Sequence, residues 1–152
     1  MQFSGEIGAV SLGVTKKPRH WYDLTFMYGF TPRSVSHTAS IETFAFKQDF
    51  FFFKADLDGL TTRLYTSLNI FHVTGLKHQT NKFRDTPTGY YPINSVRGLL
   101  ALGVQTSLPQ RPHNSYFFEI GMNDIWIVNC LNNESLNPQD YLSMAIGINY
   151  IF

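Results

Sequence analysis

Apolar and polar residues alternate along most of this chain, with a period of two instead of the 3.6 residues of a helix. The clearest run lies at residues 142–152, where every second residue from Leu142 to Phe152 is apolar. The residues between them are small or polar, apart from Ile151. Because successive side chains of a strand point to opposite faces, this segment is predicted to be a strand with one apolar and one largely polar face.

Runs of this kind recur throughout the chain, and no helical period interrupts them. Connectors rich in Pro, Gly, Asn and Asp separate the runs, as in an antiparallel meander. The pattern therefore predicts an all-β antiparallel fold in a single domain, residues 1–152. The predicted strands are 5–14, 20–30, 39–54, 60–73, 95–108, 115–131 and 141–152, and the predicted connectors are 15–19, 31–36, 55–59, 75–94, 109–114 and 131–139.

The composition narrows the kind of β-protein. Charged residues make up 15% of the chain, against roughly 25% in soluble domains, and aromatic residues make up 16%. The mean hydropathy is −0.12, and no apolar run approaches the ~18 residues of a transmembrane helix. These values fit a transmembrane barrel with an apolar exterior and a mixed interior. They also fit an aromatic-rich soluble barrel of the lipocalin type, which binds ligands.

The net charge and the cysteine content argue against nucleic-acid binding and exclude an internal disulfide. The net charge of +1 gives no reason to expect nucleic-acid binding. Cys130 is the only cysteine, so the chain has no internal disulfide. The five histidines show no metal-ligand spacing with Cys130 or the carboxylates, and no phosphate-binding loop is found, so neither a metal nor a cofactor is predicted.

The last strand, which ends at Tyr150 and Phe152, resembles the closing strand of bacterial outer-membrane β-barrels. In that family, the terminal phenylalanine is read by the barrel assembly machinery. The resemblance implies an up-and-down transmembrane barrel of about eight strands in a Gram-negative outer membrane, in contact with lipid and lipopolysaccharide. Since residues 1–14 lack the features of a signal peptide, this interpretation requires that a signal has been removed.

Aromatic residues near the strand ends favour the membrane barrel over the soluble one. In outer-membrane barrels, aromatic girdles flank the apolar band at both interfaces. The predicted girdle residues lie on the apolar rows and are Tyr22, Tyr28, Phe30, Tyr116, Tyr150 and Phe152.

Loop lengths then predict an orientation and raise a question about strand number. With Phe152 in the periplasm and residues 115–131 as one strand, the connectors 131–139, 75–94 and 31–38 are extracellular and the shorter ones are periplasmic; a split of that run would instead place 75–94 in the periplasm. Seven strands are visible, whereas bacterial barrels have an even number. The eighth strand lies upstream of Met1 or is built partly from residues 1–4, or else a turn at Asn123–Asp124 splits the sixth run.

Four charged residues lie on the mixed faces of strands, opposite apolar rows: Asp23, Arg63, Arg97 and Glu119. Buried charges need partners, so these residues are predicted to pair inside the lumen. In a barrel of this size, side chains just fill the interior. The predicted network is therefore a structural plug, in preference to the lining of a conducting pore.

His113, Ser115 and Glu119 are weak catalytic candidates. Lipid A deacylases of the outer membrane use a His and a Ser two residues apart with a more distant acid, but this sequence lacks the longer motif. A polar turn explains His113 and Ser115 better. These residues leave one alternative open, a lipid-modifying barrel enzyme that acts on lipopolysaccharide. A palmitoyl-transferase arrangement of His78 and Asp85 is a second form of the same alternative.

The long connector 75–94 contains the strongest binding candidates. Its basic residues could pair with lipopolysaccharide phosphates, and its aromatic residues could contact a protein partner. An ordinary solvated loop is the plainer alternative. Together the observations favour a non-catalytic structural or binding role, and a subunit of an envelope complex is one form of it. The candidate loop residues are Lys77, His78, Lys82, Arg84, Tyr90 and Tyr91.

Overall fold

The computed structural model describes residues 1–3, 7–36, 40–57, 59–74, 96–124, 127 and 142–150. They form a closed antiparallel barrel in which each of eight strands is hydrogen-bonded to the next and the last to the first. The predicted all-β antiparallel barrel is confirmed. The strands are β1 (Gln2–Phe3), β2 (Val10–Arg19), β3 (Tyr22–Thr31), β4 (Ile41–Leu57), β5 (Leu60–Thr74), β6 (Val96–Leu108), β7 (Arg111–Asn123) and β8 (Ser143–Tyr150), with a short helix α1 (Arg33–Ser36) between β3 and β4.

Long and short connections alternate, so the two ends of the barrel differ. At one end, called the short-turn end, residues 20–21, 58–59 and 109–110 join consecutive strands. The other end, called the long-loop end, carries the connections 4–9, 32–40, 75–95 and 124–142. In the described ranges, no helix is long and apolar enough to cross a membrane.

The predicted boundaries at the short-turn end were wrong, because the strands continue into all three predicted connectors. Pro18 misled the prediction at 15–19. It lies in β2 at a register shift between Lys16 and Arg19, where a proline does not interrupt a regular ladder. Pro112 likewise lies in β7 beside the register shift at Ser107 and Leu108.

The eighth strand is β1, at one of the places that the sequence suggested. β1 pairs with both β2 and β8. β7 pairs directly with β8, so the alternative turn at Asn123–Asp124 adds no strand between them. The predicted continuation of the sixth run to residue 131 lies largely outside the described residues.

The apolar rows face outward and the mixed rows face inward, as the alternation of side chains requires. One exception is Phe53, which would lie on the inner row of β4 if the alternation that includes Lys47 and Asp49 continued without interruption. A register shift between Phe51 and Phe53 inserts Phe52 as an extra residue, so that Phe53 pairs with Leu64 and is exposed. The bulge therefore resets the alternation and turns both Phe52 and Phe53 outward.

The interior has two layers. A small apolar cluster contains Ile7, Met27, Ala45, Phe71 and Leu99 and lies towards the long-loop end. Gly29 lets the segment at Ile7 pack against β3, because a Cβ at Gly29 would lie 1.9 Å from the Ile7 carbonyl oxygen. The other layer, towards the short-turn end, is polar, and it contains the candidate functional site.

Candidate functional site

The polar layer is organised around Lys47, which points inward from β4 and is only 4% exposed. Its ammonium group forms an ion pair with Glu119 of β7, across the barrel. The Asp49 Oδ2 atom lies 3.7 Å from the same Nζ atom. Two carboxylates thus face one buried cation, which compensates part of the cost of removing three charges from water.

Aromatic rings complete the surroundings of this ion pair. Tyr65 Oη donates a hydrogen bond of 2.7 Å to Glu119 Oε1. The Lys47 Nζ atom lies 4.7 Å from the centre of the Phe117 ring and 5.6 Å from that of Tyr65, both within cation–π distance. We refer to Lys47, Asp49, Tyr65, Phe117 and Glu119 as the central cluster, which lies in the polar layer of the barrel interior.

A second carboxylate position adjoins the central cluster. Asp23 of β3 is the register partner of Asp49, and both side chains are buried. Facing carboxylates at paired positions of neighbouring strands repel one another. Ser67 hydrogen-bonds to Asp49, but the Asp49 Oδ1 atom has no hydrogen-bond partner among the described residues.

Asp23 and Asp49 line a small cavity. Its volume, counted as space open to the centre of a water molecule, is about 20 Å³, which is room for one or two waters. The wall combines Met1 with residues from six strands: Gln2, Gly13, Thr15, Asp23, Thr25, Met27, Lys47, Asp49, Phe117 and Asn149.

The four charged residues predicted as one lumen network lie in different parts of the barrel, although the charges of Asp23 and Arg63 are close enough to attract one another. Glu119 belongs to the central cluster, and Asp23 lies at the cavity beside it. Arg63 lies at the short-turn end, where its guanidinium donates a 2.8 Å hydrogen bond to the His20 carbonyl oxygen and stacks 3.4 Å from the Phe51 ring centre.

Arg97 is at the opposite end of the barrel. Its Nη1 atom lies 3.9 Å from Asp124 Oδ1, next to the connection 124–142. The sequence had singled out neither Lys47 nor Tyr65 as a partner of Glu119. The alternation does place Lys47 and Asp49 on the inward row of β4, and this would have been enough to include both in the predicted lumen network.

The weak catalytic candidates share β7 but do not meet. His113 is exposed, whereas Ser115 is buried and its Oγ atom accepts a 2.6 Å hydrogen bond from Gln105 Nε2. Glu119 is four residues along the strand from Ser115, which corresponds to ~13 Å. Its carboxylate is bound by Lys47 and Tyr65. The structure therefore does not bring these three side chains together as a nucleophile, base and acid.

The candidate binding residues of the long connector, Lys77, His78, Lys82, Arg84, Tyr90 and Tyr91, lie outside the described residues, as do Asp85 and Phe152. Tyr150 of β8 is described and faces outward. No group of three or more His, Cys, Asp or Glu side chains that could hold a metal ion occurs within the described ranges.

The exterior is a second candidate site, because apolar side chains cover it on every long strand. Leu102 at the middle of β6 is 63% exposed, and exposed Phe, Leu, Ile and Met side chains continue around the barrel. Aromatic residues gather towards the strand ends. Tyr22 and Phe50 pack at 5.0 Å towards the short-turn end, and Tyr28 and Phe44 pack at 5.3 Å towards the long-loop end.

Comparison of the chain with protein-family models, with curated proteins and with solved structures gave no match.

Proposed function

We propose that this protein is a small bacterial outer-membrane β-barrel with a plugged interior and a structural or binding role. The observation that carries the proposal is the distribution of polarity. The side chains inside the barrel include Lys47, Asp49 and Glu119, whereas those outside are almost continuously apolar. A water-soluble barrel has the reverse arrangement, with apolar side chains in its core and polar ones on its surface.

The closed hydrogen-bonding pattern supports the same proposal. In the hydrocarbon region, every backbone N–H and C=O group must find a partner within the protein, and a closed barrel is the only sheet that provides this. A strand segment of eleven consecutive residues rises ~3.3 Å per residue. At a tilt of ~40° it spans ~25 Å, which is the height of the apolar band of outer-membrane barrels. The rows on β5 and β6 from Leu60 to Ile70 and from Val96 to Leu108 reach about this length.

The aromatic pairs have the positions of two interfacial girdles. Tyr28 also forms a side-chain hydrogen bond with Glu42, so its polar end has a partner near the long-loop end. On this proposal, the short turns face the periplasm and the long connections face the exterior. The connection 75–95 then contacts lipopolysaccharide or a protein partner, which is the binding role that we propose for it.

The central cluster argues for a plug instead of a channel. Lys47 pairs across the barrel with Glu119, and the Tyr65 and Phe117 rings lie beside the pair. The cavity next to the cluster has room for only one or two waters. We therefore expect no steady ion conductance from the wild-type barrel.

The test is a charged substitution in the apolar belt. Leu102→Arg places a guanidinium near the bilayer midplane and is expected to lower the free energy of unfolding in phospholipid vesicles by about 2–4 kcal/mol. Gln110→Arg, in the exposed turn between β6 and β7, is the matched control and should leave it unchanged. Heat-dependent migration on a detergent gel reports whether the wild-type barrel is folded.

Two results would contradict the membrane proposal. One is wild-type protein that stays folded and monomeric in buffer without detergent. The other is equal stability of the Leu102→Arg and Gln110→Arg variants in vesicles.

A further inference from the structure

A side-chain amide interrupts the apolar belt on β4. Gln48 lies on the outward row of this strand, whereas its neighbours Lys47 and Asp49 are buried inside the barrel. Phe44 and Phe50 lie on the same outward row, on either side of Gln48, and belong to the aromatic pairs near opposite ends of the barrel. Gln48 therefore faces outward between the two proposed girdles.

The amide of Gln48 has hydrogen-bonding capacity that the described residues do not use. Its Oε1 atom accepts a 3.0 Å hydrogen bond from the Tyr22 hydroxyl. A side-chain amide carries two N–H donors and an oxygen with two lone pairs. Among the described residues, the Gln48 amide makes no second hydrogen bond. Lipid chains offer no hydrogen-bonding group, and a polar group left without a partner in such a medium is costly.

Mostly apolar side chains surround this amide on the outer surface. Leu24 of β3 and Leu68 of β5 are the register partners of Gln48 on its two sides. Phe46, the preceding outward residue of β4, and Leu68 are exposed. Thr66 adds a hydroxyl group next to Leu68 on the outward row of β5. We call Leu24, Phe46, Gln48, Thr66 and Leu68 the amide patch.

We propose that the amide patch binds a second copy of this barrel within the membrane; this inference rests on the proposed outer-membrane function. The Nε2 group of each Gln48 donates to the Oε1 atom of the other, so two hydrogen bonds join the copies. Tyr22 keeps its own hydrogen bond, because the amide oxygen has two lone pairs. The apolar side chains of the two patches pack around the amides, and such packing drives association in lipid.

Symmetry favours a second copy over an unrelated partner. Copies inserted in one membrane share one orientation, so a two-fold axis between two of them lies along the membrane normal. Such an axis leaves every residue at its own depth, and the contact is isologous. A residue near the axis therefore meets the same residue of the other copy and must be complementary to itself. An amide meets this condition, because it both donates and accepts hydrogen bonds.

The first experiment measures association of the whole barrel in phospholipid vesicles by fluorescence energy transfer. Dyes are attached at Gln110→Cys, in the exposed turn between β6 and β7, in a Cys130→Ser background. Dilution with lipid gives the dissociation constant of the dimer. Gln48→Met keeps the side-chain length but removes the amide and should raise this constant about tenfold, because two hydrogen bonds are lost. Ile146→Met, on the outward row of β8, is the matched control and should leave it unchanged.

Disulfide trapping locates the contact on the barrel surface. Leu68→Cys places a thiol within the amide patch, again with Cys130→Ser, and should form a disulfide between two copies on oxidation with copper–phenanthroline. Ile146→Cys is the matched control. It lies four strands from β4 in a closed barrel of eight and therefore on the opposite side, so it should remain monomeric.

The outcomes separate this proposal from the proposed function. Heat-dependent gel migration first confirms that each variant is folded. Folded, inserted wild-type barrel without energy transfer overturns the proposal and leaves the membrane function intact. Association that Gln48→Met does not weaken also overturns it, because the amide then serves Tyr22 alone. Equal trapping at positions 68 and 146 overturns it as well, since it indicates random collision. Protein that stays folded and monomeric in buffer without detergent contradicts the proposed function, and this proposal with it.

Discussion

Replacing Lys47 with methionine tests the central cluster most directly. Methionine keeps the length and the apolar stem of lysine but removes the cation, so packing against Phe117 changes little while the charge is lost. Among the described residues, Glu119 then keeps the Tyr65 hydrogen bond and Asp49 keeps the one from Ser67. Both carboxylates remain buried without the ammonium group that faces them in the wild type.

The expected loss follows from these distances. At an effective dielectric constant near 20, one ion pair at 3.7 Å contributes about 4 kcal/mol of attraction, most of which offsets the cost of burying the charges. Removing the cation leaves that cost uncompensated. Removal of one partner from a buried pair costs about 3–5 kcal/mol, and we expect the Lys47→Met value to lie in this range. This is a large part of a typical total stability of about 5–15 kcal/mol.

The assay is equilibrium unfolding by guanidinium in phospholipid vesicles, followed by tryptophan fluorescence. Lys16→Met is the matched control, because Lys16 is an exposed lysine of β2. A double variant, Lys47→Met with Glu119→Gln, removes the cation and one carboxylate charge together. We expect it to recover at least about 1 kcal/mol relative to the sum of the two single changes.

The reasoning would be refuted if Lys47→Met cost no more than Lys16→Met. Strict additivity of the two single changes would refute it as well, because Lys47 and Glu119 would then not stabilise one another.

Two further changes test other contacts. In Gly103→Ala, the new Cβ would lie 2.3 Å from Tyr65 Cζ, so the ring must shift away from Glu119; we expect a loss of about 1–3 kcal/mol in the same unfolding assay. Gly98→Ala in the same strand meets no described atom closer than 3.8 Å and should cost far less; equal effects would show that Tyr65 is not constrained. Near the β4–β5 turn, the hydrogen bond from Thr61 and then the contact with Lys54 hold the pKa of Asp56 below its usual value. Thr61→Val should raise that pKa in an NMR titration. The lowered pKa stabilises the fold above the ordinary aspartate pKa, and this stabilisation is lost as pH falls through the folded-state pKa, so it should be smaller in the variant. An unchanged titration would contradict the contact between Thr61 and Asp56.

The sequence was sufficient for the fold class and for the faces of the strands, because a period of two leaves each side chain only two directions. Asp23, Lys47 and Glu119 all lie on mixed rows, opposite apolar rows, and the structure turns all three inward. The run at 142–152 has the same alternation of apolar and polar residues. Its described part, β8, is a strand whose Met144, Ile146 and Ile148 side chains face outward.

Boundaries and bulges could not be predicted in the same way. Pro18 and Pro112 indicate turns when they are read locally, but strand pairing and register shifts accommodate both within strands. Phe53 changed faces because one extra residue, Phe52, reversed the alternation after it. Such an extra residue cannot be identified from the alternation alone, because it is defined by the pairing with the partner strand.

The sequence by itself determined that this chain forms antiparallel strands with one apolar and one mixed face, since side-chain direction along a strand is a local property of the backbone. Only the tertiary structure decided which face is inside and which charges meet. Lys47 and Glu119 are 72 residues apart, and closure of the barrel brings them together. Closure depends on the register of every strand pair at once, and for that reason the ion pair and the cavity could be seen only in three dimensions.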